Sequence, residues 1–206
     1  MSQRHKIFRH LAAGLALCAC FASPAAEARG SAEIAAVFNA GVTAYDAGDY
    51  EKAFQLWWDL RFEDIAAMRN LGMMLRKGQG TARDPERAEE IYLRAAEAGL
   101  PTAQADLADM YLKGEVGPPD LARALPLLQA AAAANHPVAQ FQLGQFYETG
   151  APPLVPQDLE AARRLYAAAA SHGMRDAAAR SAFLGPPAPT SAMPRSLPIP
   201  APNPAR

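Results

Sequence analysis

The sequence has almost no cysteine, and this shortage removes several kinds of chemistry at once. Its only cysteines, Cys18 and Cys20, both lie within the first 28 residues. If that segment is a leader, as argued below, the mature chain has no thiol for a disulfide, a redox reaction, a catalytic nucleophile or a cysteine-based metal site. The mature protein must therefore be held together by packing alone.

Histidine and catalytic motifs are equally scarce. His136 and His172 are the only histidines after residue 28, and neither has a second ligand at metal-binding spacing, so we predict helix-capping or solvated side chains. G-x-S-x-G and S-x-x-K are absent, and turns explain the glycines of RKGQG and KGEVG. Asp106 and Asp109 are expected on a solvated helix face. The sequence predicts a noncatalytic protein without catalytic residues, metal or cofactor.

An excess of positive charge is missing as well. The whole sequence has 20 basic and 21 acidic residues, and the first 28 residues contain three of the basic residues and one acidic residue, Glu27. Without that segment the chain has 17 basic and 20 acidic residues, a net charge of −3. Nucleic-acid binding normally requires a basic surface. We therefore expect no nucleic-acid partner.

The N-terminus has the composition of a secretory signal peptide. Three basic residues precede an uncharged run over residues 11–23, and small residues follow up to Ala28. The run is shorter than the ~20 residues that span a bilayer. Residues 1–28 are predicted to be a leader cleaved near residues 25–28, which would make the mature protein periplasmic or secreted, with no transmembrane segment.

Cys20 leaves one alternative open. Residues 17–20, Leu-Cys-Ala-Cys, loosely resemble the bacterial lipoprotein signal, in which the second cysteine would be lipidated and become the new N-terminus. Cys18 fits that pattern poorly, so the unlipidated form is favoured. A lipid anchor would change the location of the protein but not its fold.

The C-terminal segment has little that could build a core. Residues 185–206 contain 8 prolines among 22 residues and few aromatic or β-branched side chains. Such a composition predicts a disordered, proline-rich tail that acts as a spacer or as a ligand for a proline-binding domain.

The middle of the chain repeats one pattern at a fixed spacing. Residues 67–78 (AMRNLGMMLRKG), 103–114 (AQADLADMYLKG) and 139–150 (AQFQLGQFYETG) follow one another at 36-residue intervals. A second pattern follows each copy, at intervals of 36 and then 38 residues because the loop APPLVPQ is longer. Both patterns have helical periodicity, so each unit is predicted to be two antiparallel helices.

These units predict an all-α fold, an α/α superhelical solenoid of about four helix-turn-helix repeats with a C-terminal capping helix. The repeat domain is predicted over residues 29–184, with units at about 33–64, 65–100, 101–136 and 137–174 and a cap at 175–184.

Small residues and prolines mark particular positions within the units. Gly72, Ala108 and Gly144 are equivalent mid-helix positions, where glycine costs ~1 kcal/mol relative to alanine. We expect a larger side chain there to push the second helix away. Pro126 lies inside a predicted second helix and should remove a hydrogen bond and bend that helix.

Helix ends are marked by residues that commonly cap helices. Asp84 is followed by proline, which suits an N-cap and the first helical position. Gly99 and Asn135 are expected to take the left-handed conformation before Pro101 and Pro137 start the next helices.

Together these residues resemble the Sel-1-like repeats, which are relatives of the tetratricopeptide repeats. The family pattern A-x-x-x-L-G-x-x-Y-x-x-G, then aspartate, then A-x-x-W/Y-x-x-A-A-x-x-G, is matched by Ala67, Leu71, Gly72, Gly78, Asp84, Ala88, Tyr92, Ala95, Ala96 and Gly99. Departures occur at Leu75, Ala108, Leu128 and Asn135, and residues 33–64 look more like a plain tetratricopeptide repeat. The resemblance implies an exported scaffold that binds other proteins, often of the bacterial cell envelope.

Two other functions stay open under the same resemblance. Some secreted relatives are rich in cysteine and bind penicillin, so an envelope enzyme or a protein that binds penicillin or peptidoglycan is one alternative. The lack of mature cysteines separates this chain from them. A lipidated outer-membrane assembly factor is the other alternative.

Trp57 is expected in the core, and Trp58 is the residue that could form a ligand platform.

By analogy with stacked helical hairpins, the first helices are expected to line a concave face. Some positions of these helices are not needed for the core, and the residues there are the candidates for partner binding. They are Arg69, Met73, Arg76, Ala105, Asp109, Leu112, Phe141, Gln145 and Glu148. Met73 and Phe141 are the informative members, since exposed apolar side chains often mark binding surfaces. In the alternative interpretation, these side chains form the packing seam between units.

Overall fold

The computed structural model describes residues 29–185, which form nine α-helices and no β-strand. The helices are α1 (Ser31–Asp46), α2 (Tyr50–Asp59), α3 (Ile65–Lys77), α4 (Pro85–Glu97), α5 (Pro101–Lys113), α6 (Leu121–Ala133), α7 (Pro137–Thr149), α8 (Leu159–Ser171) and α9 (Arg175–Leu184). The predicted signal peptide with Cys20, and the predicted tail after Gly185, lie outside the described residues.

The helices pair in chain order into four hairpins, and each hairpin packs against the next. α1 packs on α2, α3 on α4, α5 on α6 and α7 on α8. α2, α4 and α6 also contact the first helix of the following hairpin, and α9 packs on α8. We call α1, α3, α5 and α7 the first helices and α2, α4, α6 and α8 the second helices. These neighbour contacts confirm the predicted all-α repeat solenoid.

The helix ends carry the predicted caps. The Asp84 side chain accepts a hydrogen bond from the backbone N–H of Arg87 at the start of α4, and four other aspartates cap α2, α3, α6 and α8 in the same way. Gly99 and Asn135 have φ angles of 85° and 62°. Both residues therefore take the left-handed conformation that the sequence predicts before the next helix.

Within two hairpins, a glycine of the first helix receives an aromatic ring of the second. A Cβ atom on Gly72 would lie 2.8 Å from the Tyr92 ring, and one on Gly144 would lie 2.8 Å from the Tyr166 ring. The two tyrosines are only 1% and 0% exposed, so their rings are enclosed by other atoms. The expectation that a larger side chain would push the second helix away is confirmed.

The other two hairpins vary the same contact. Gly41, which the sequence interpretation missed, meets Trp57, and a Cβ atom there would lie 2.8 Å from Cδ1 of the indole. Trp57 is 2% exposed, as expected for a core residue, and its Nε1–H donates to the Phe38 carbonyl at 3.2 Å. In the third hairpin, Ala108 and Leu128 hold the equivalent positions. Alanine is larger than the glycine of the other hairpins, and leucine is smaller than the tyrosine or tryptophan.

Two glutamines connect successive hairpins. Gln104 Nε2 donates to the Ala96 carbonyl at 3.2 Å, and Gln140 Nε2 donates to the Ala132 carbonyl at 3.2 Å. Each acceptor lies in the last turn of a second helix, where carbonyl groups lack partners within the helix. These bonds join α4 to α5 and α6 to α7.

Pro126 does not interrupt α6, which is helical from Leu121 to Ala133. The ring cannot donate to the carbonyl of Ala122, but both residues are exposed, so water can reach that carbonyl. The expected loss of one hydrogen bond is therefore compatible with an intact helix.

Replacing Gly72 with alanine is expected to destabilise the array. Alanine favours the helix by ~1 kcal/mol relative to glycine, but this gain is smaller than the expected loss in packing. The new Cβ atom overpacks the Tyr92 ring, and overpacking costs about 1–3 kcal/mol. In the Tyr92→Leu background the same alanine should be better tolerated, because the pair then matches Ala108 and Leu128. Urea unfolding of the wild type, both single variants and the double variant measures this coupling. An identical effect of the alanine in both backgrounds would contradict the close-approach explanation.

Candidate protein-binding groove

The predicted binding residues lie on three first helices and fall into two groups. Arg69, Met73 and Arg76 are on α3; Ala105, Asp109 and Leu112 are on α5; Phe141, Gln145 and Glu148 are on α7. Charged residues of α3 and α5 meet around one groove, whereas two of the α7 residues contact α8 and α9. Ala105 is only 5% exposed, and Leu112 is half-buried against the core.

Arg76 is the centre of the charged contacts between α3 and α5. Its Nη2 donates to Asp109 at 2.5 Å and its Nε donates to Glu115 Oε2 at 2.9 Å. Lys113 Nζ donates to the same Asp109 oxygen at 2.8 Å. These bonds hold an arginine of one hairpin against carboxylates of the next, and they fix the Arg76 guanidinium in one orientation.

The pKa values of the two carboxyl groups follow from these bonds. The hydrogen bond from Arg76 is the main reason that the pKa of Glu115 is lowered. Burial opposes ionisation of Asp109, but the hydrogen bonds from Lys113 and Arg76 outweigh it and lower the pKa overall. Both groups are therefore ionised at neutral pH.

A second ion pair joins the same two helices. Arg69 Nε donates to Asp106 Oδ2 at 2.7 Å, with the side chains 33% and 26% exposed. The expectation that Asp106 and Asp109 form a solvated face is therefore wrong. Each aspartate pairs with an arginine of the preceding hairpin, because α3 and α5 lie side by side.

A groove of about 580 Å³ lies beside these ion pairs. We call it the first-helix groove, and it is lined by Arg69, Met73, Arg76, Lys77, Arg83, Tyr92, Asp106, Lys113 and Glu115. Five of these side chains are basic and two are acidic, on a chain whose formal net charge is −1. Met73 is half-buried and supplies an apolar contact among the charges.

Six lining residues were not among the predicted binding residues. Tyr92 was matched only to the repeat pattern and Asp106 was expected on a solvated face, whereas the other four were not singled out: Lys77, Arg83, Lys113 and Glu115. Lys77 and Lys113 are 36 residues apart, each directly before the glycine that ends a first helix. Because equivalent positions of stacked units lie side by side, this spacing is a signal that could have placed both lysines on one surface. The sequence interpretation assigns the segments around them to turn formation alone.

The α7 residues are used mainly inside the array. The Phe141 ring packs on the Tyr166 ring with centroids 5.5 Å apart. Glu148 accepts hydrogen bonds from the Tyr166 hydroxyl at 2.6 Å and from Arg180 Nη1 at 3.1 Å. Gln145 is exposed. These contacts fit the alternative in which such side chains form the packing seam, and partner binding by α7 stays a prediction.

The histidines have the structural roles that the sequence predicts. His136 N-caps α7, with Nδ1 accepting from the backbone N–H of Ala139 at 3.4 Å, and burial lowers its pKa so that the accepting nitrogen stays unprotonated. His172 is exposed at the end of α8.

Between residues 29 and 185, no group of histidine, cysteine, aspartate and glutamate could hold a metal ion, and no helix is long and apolar enough to cross a bilayer.

Comparison with known proteins identifies the repeat. The Sel1 repeat model matches residues 65–100, 101–136 and 137–174. No curated protein matches the chain. Among solved structures, a Sel1 repeat protein from Oxalobacter formigenes is similar at 32% identity and a TM-score of 0.66, over 71% of this chain and 59% of that protein.

Two other structures share the fold at lower identity. The protein c5321, a protective antigen present in uropathogenic Escherichia coli strains and displaying an SLR fold, matches at 22% identity and a TM-score of 0.66 over 73% of this chain and 33% of its own. The immunity protein Pa5087 from Pseudomonas aeruginosa matches at 21% identity and a TM-score of 0.53 over 70% of this chain and 55% of its own. This chain thus spans less than two thirds of each of the three similar structures. Because the family model matches more than half of the residues, this chain belongs to the Sel1 repeat family.

Proposed function

We propose that this chain is a noncatalytic scaffold that binds a partner protein in the first-helix groove. The Sel1 repeat fold suggests protein–protein interaction in general. The observation that supports the groove as the binding surface is its excess of positive charge, with five basic lining residues against two acidic ones. A partner segment that carries carboxylates would complement this charge.

The groove combines fixed and available cations. Arg76 is held by Asp109 and Glu115, and its side chain is only 16% exposed. Lys77 is exposed and makes no ion pair within residues 29–185, while Lys113 is 60% exposed. The paired arginine holds the two helices together, and Lys77 can contact a partner without breaking an ion pair of the array, whereas Lys113 is exposed but also donates to Asp109.

Reversing the charge of Lys77 should weaken partner binding without unfolding the protein. We expect Lys77→Glu to lower the affinity about tenfold, which corresponds to ~1.4 kcal/mol. The melting temperature should stay nearly unchanged, because surface substitutions usually alter stability by no more than about 0.5 kcal/mol. Co-purification of tagged protein from cells of the native host, quantified by mass spectrometry, measures binding.

Lys52→Glu is the matched control, since Lys52 is also an exposed helical lysine but does not line the groove. Capture of the partner should survive this change. Normal capture by Lys77→Glu together with reduced capture by Lys52→Glu would rule out the groove as the binding surface.

We also propose that the protein acts after export, in the periplasm or outside the cell. This proposal rests on the basic, uncharged and small-residue segments of residues 1–28. Intact-mass measurement of the protein from its native host should find an unmodified N-terminus created by cleavage near residues 25–28. An N-terminal Cys20 bearing lipid would instead support a membrane anchor, and a chain that retains residues 1–28 would disprove processing.

A further inference from the structure

A second cluster of positive charge lies on the second helices, away from the first-helix groove. Its members are Trp58 of α2, Arg61 and Phe62 in the turn after α2, and Arg87 and Arg94 of α4. We call these five residues the arginine–aromatic patch. Together with Met68, Glu90 and Ile91 they line a small cavity of about 150 Å³.

The three arginines of the patch stack on its two aromatic rings. The guanidinium carbons of Arg61 and Arg87 lie 4.5 Å from the centre of the Trp58 ring. Those of Arg61 and Arg94 lie 4.5 and 4.7 Å from the centre of the Phe62 ring. A cation–π contact uses the charge of the guanidinium group and does not require its N–H groups, so those of Arg87 and Arg94 stay available as donors.

The arginines of the patch differ from most arginines of the array in lacking a carboxylate partner. Arg87 and Arg94 are exposed, and their side chains make no hydrogen bond or ion pair within residues 29–185. Arg61 donates to the Trp58 carbonyl, not to a carboxylate. By contrast, Arg69, Arg76, Arg123 and Arg180 each pair with an acidic side chain.

The patch also exposes apolar surface beside the cations. Phe62 is 62% exposed, and Trp58 is only partly buried. The single acidic residue in the lining is Glu90. A ligand that complements this surface must therefore offer anionic groups next to an apolar side chain.

We infer that the arginine–aromatic patch is a docking site for an acidic, partly apolar segment of another protein. Carboxylates of the segment accept hydrogen bonds from the N–H groups of Arg87 and Arg94. The planar guanidinium group matches the planar carboxylate, so the pair can form two parallel hydrogen bonds. An apolar side chain of the segment covers Phe62. This binding is independent of the first-helix groove and does not rest on its proposed role.

The extent of the patch favours a peptide segment over a membrane or a nucleic acid. Arg87 and Arg94 are seven residues apart on α4, so their backbones are separated by ~10 Å along the helix. Anionic bilayers and nucleic acids are recognised by broader basic surfaces with many contacts. The whole chain carries a formal net charge of −1, which disfavours binding to such extended anionic surfaces.

The test uses the full mature chain and a fluorescein-labelled ten-residue peptide of alternating glutamate and leucine. Binding is followed by fluorescence anisotropy, and we expect Arg87→Gln/Arg94→Gln to raise the Kd at least tenfold. Arg175→Gln removes an exposed arginine of α9 and is the matched control, with a Kd within twofold of wild type. Lys77→Glu should also leave the Kd within twofold, which separates this site from the groove.

Two further measurements make the outcome specific. Saturating peptide should shift the tryptophan emission of wild type but not of Trp58→Phe, which retains the buried Trp57. A peptide with glutamine in place of glutamate should bind at least tenfold more weakly. Equal affinity for the two peptides, an unchanged Kd in Arg87→Gln/Arg94→Gln, or binding only to phosphatidylglycerol vesicles would overturn the inference. Circular dichroism of each variant verifies that it is folded.

Discussion

In three of the four hairpins, an aromatic ring of the second helix packs against a glycine of the first helix. At Gly41, Gly72 and Gly144, a ring of the second helix occupies the space that a Cβ atom would fill. Fully burying one large apolar side chain contributes about 1.5–3 kcal/mol, so this contact is a major part of each hairpin's stability. In a solenoid each hairpin also stabilises its neighbours, and the position of every surface residue depends on these contacts.

Several polar contacts join successive hairpins, and they determine where the charged surfaces form. Gln104 and Gln140 bond to carbonyls of the preceding helix, and Arg76 binds carboxylates of the following hairpin. On the first helices, Arg69 and Arg76 are paired with acids, and Lys77 supplies the exposed unpaired charge. On α4 and in the turn after α2, arginines lie over aromatic rings instead. One array thus presents two basic surfaces of different chemistry.

The repeat spacing was sufficient to predict the solenoid, its caps and the role of Gly72 and Gly144, because these features recur at equivalent positions of two or more units. Contacts that occur once could not be predicted in that way. The pairing of Asp109 with Arg76 depends on which side chains meet across α3 and α5, and the position of each residue on its own helix does not specify this. The sequence indicated Trp58 as a residue that could form a ligand platform, but it could not predict the arginines beside it, since Arg87 and Arg94 approach from a different hairpin.

The role of the first-helix groove is tested most directly by locating the lysines that crosslink to a partner. Residues 29–206 contain only three lysines, of which Lys77 and Lys113 line the groove and Lys52 does not. Treatment of intact native cells with an amine-reactive crosslinker, followed by mass spectrometry, should recover partner peptides attached to Lys77 or Lys113. These crosslinks should disappear in Lys77→Arg/Lys113→Arg, which keeps the charge. Partner peptides attached only to Lys52 would contradict binding in the groove.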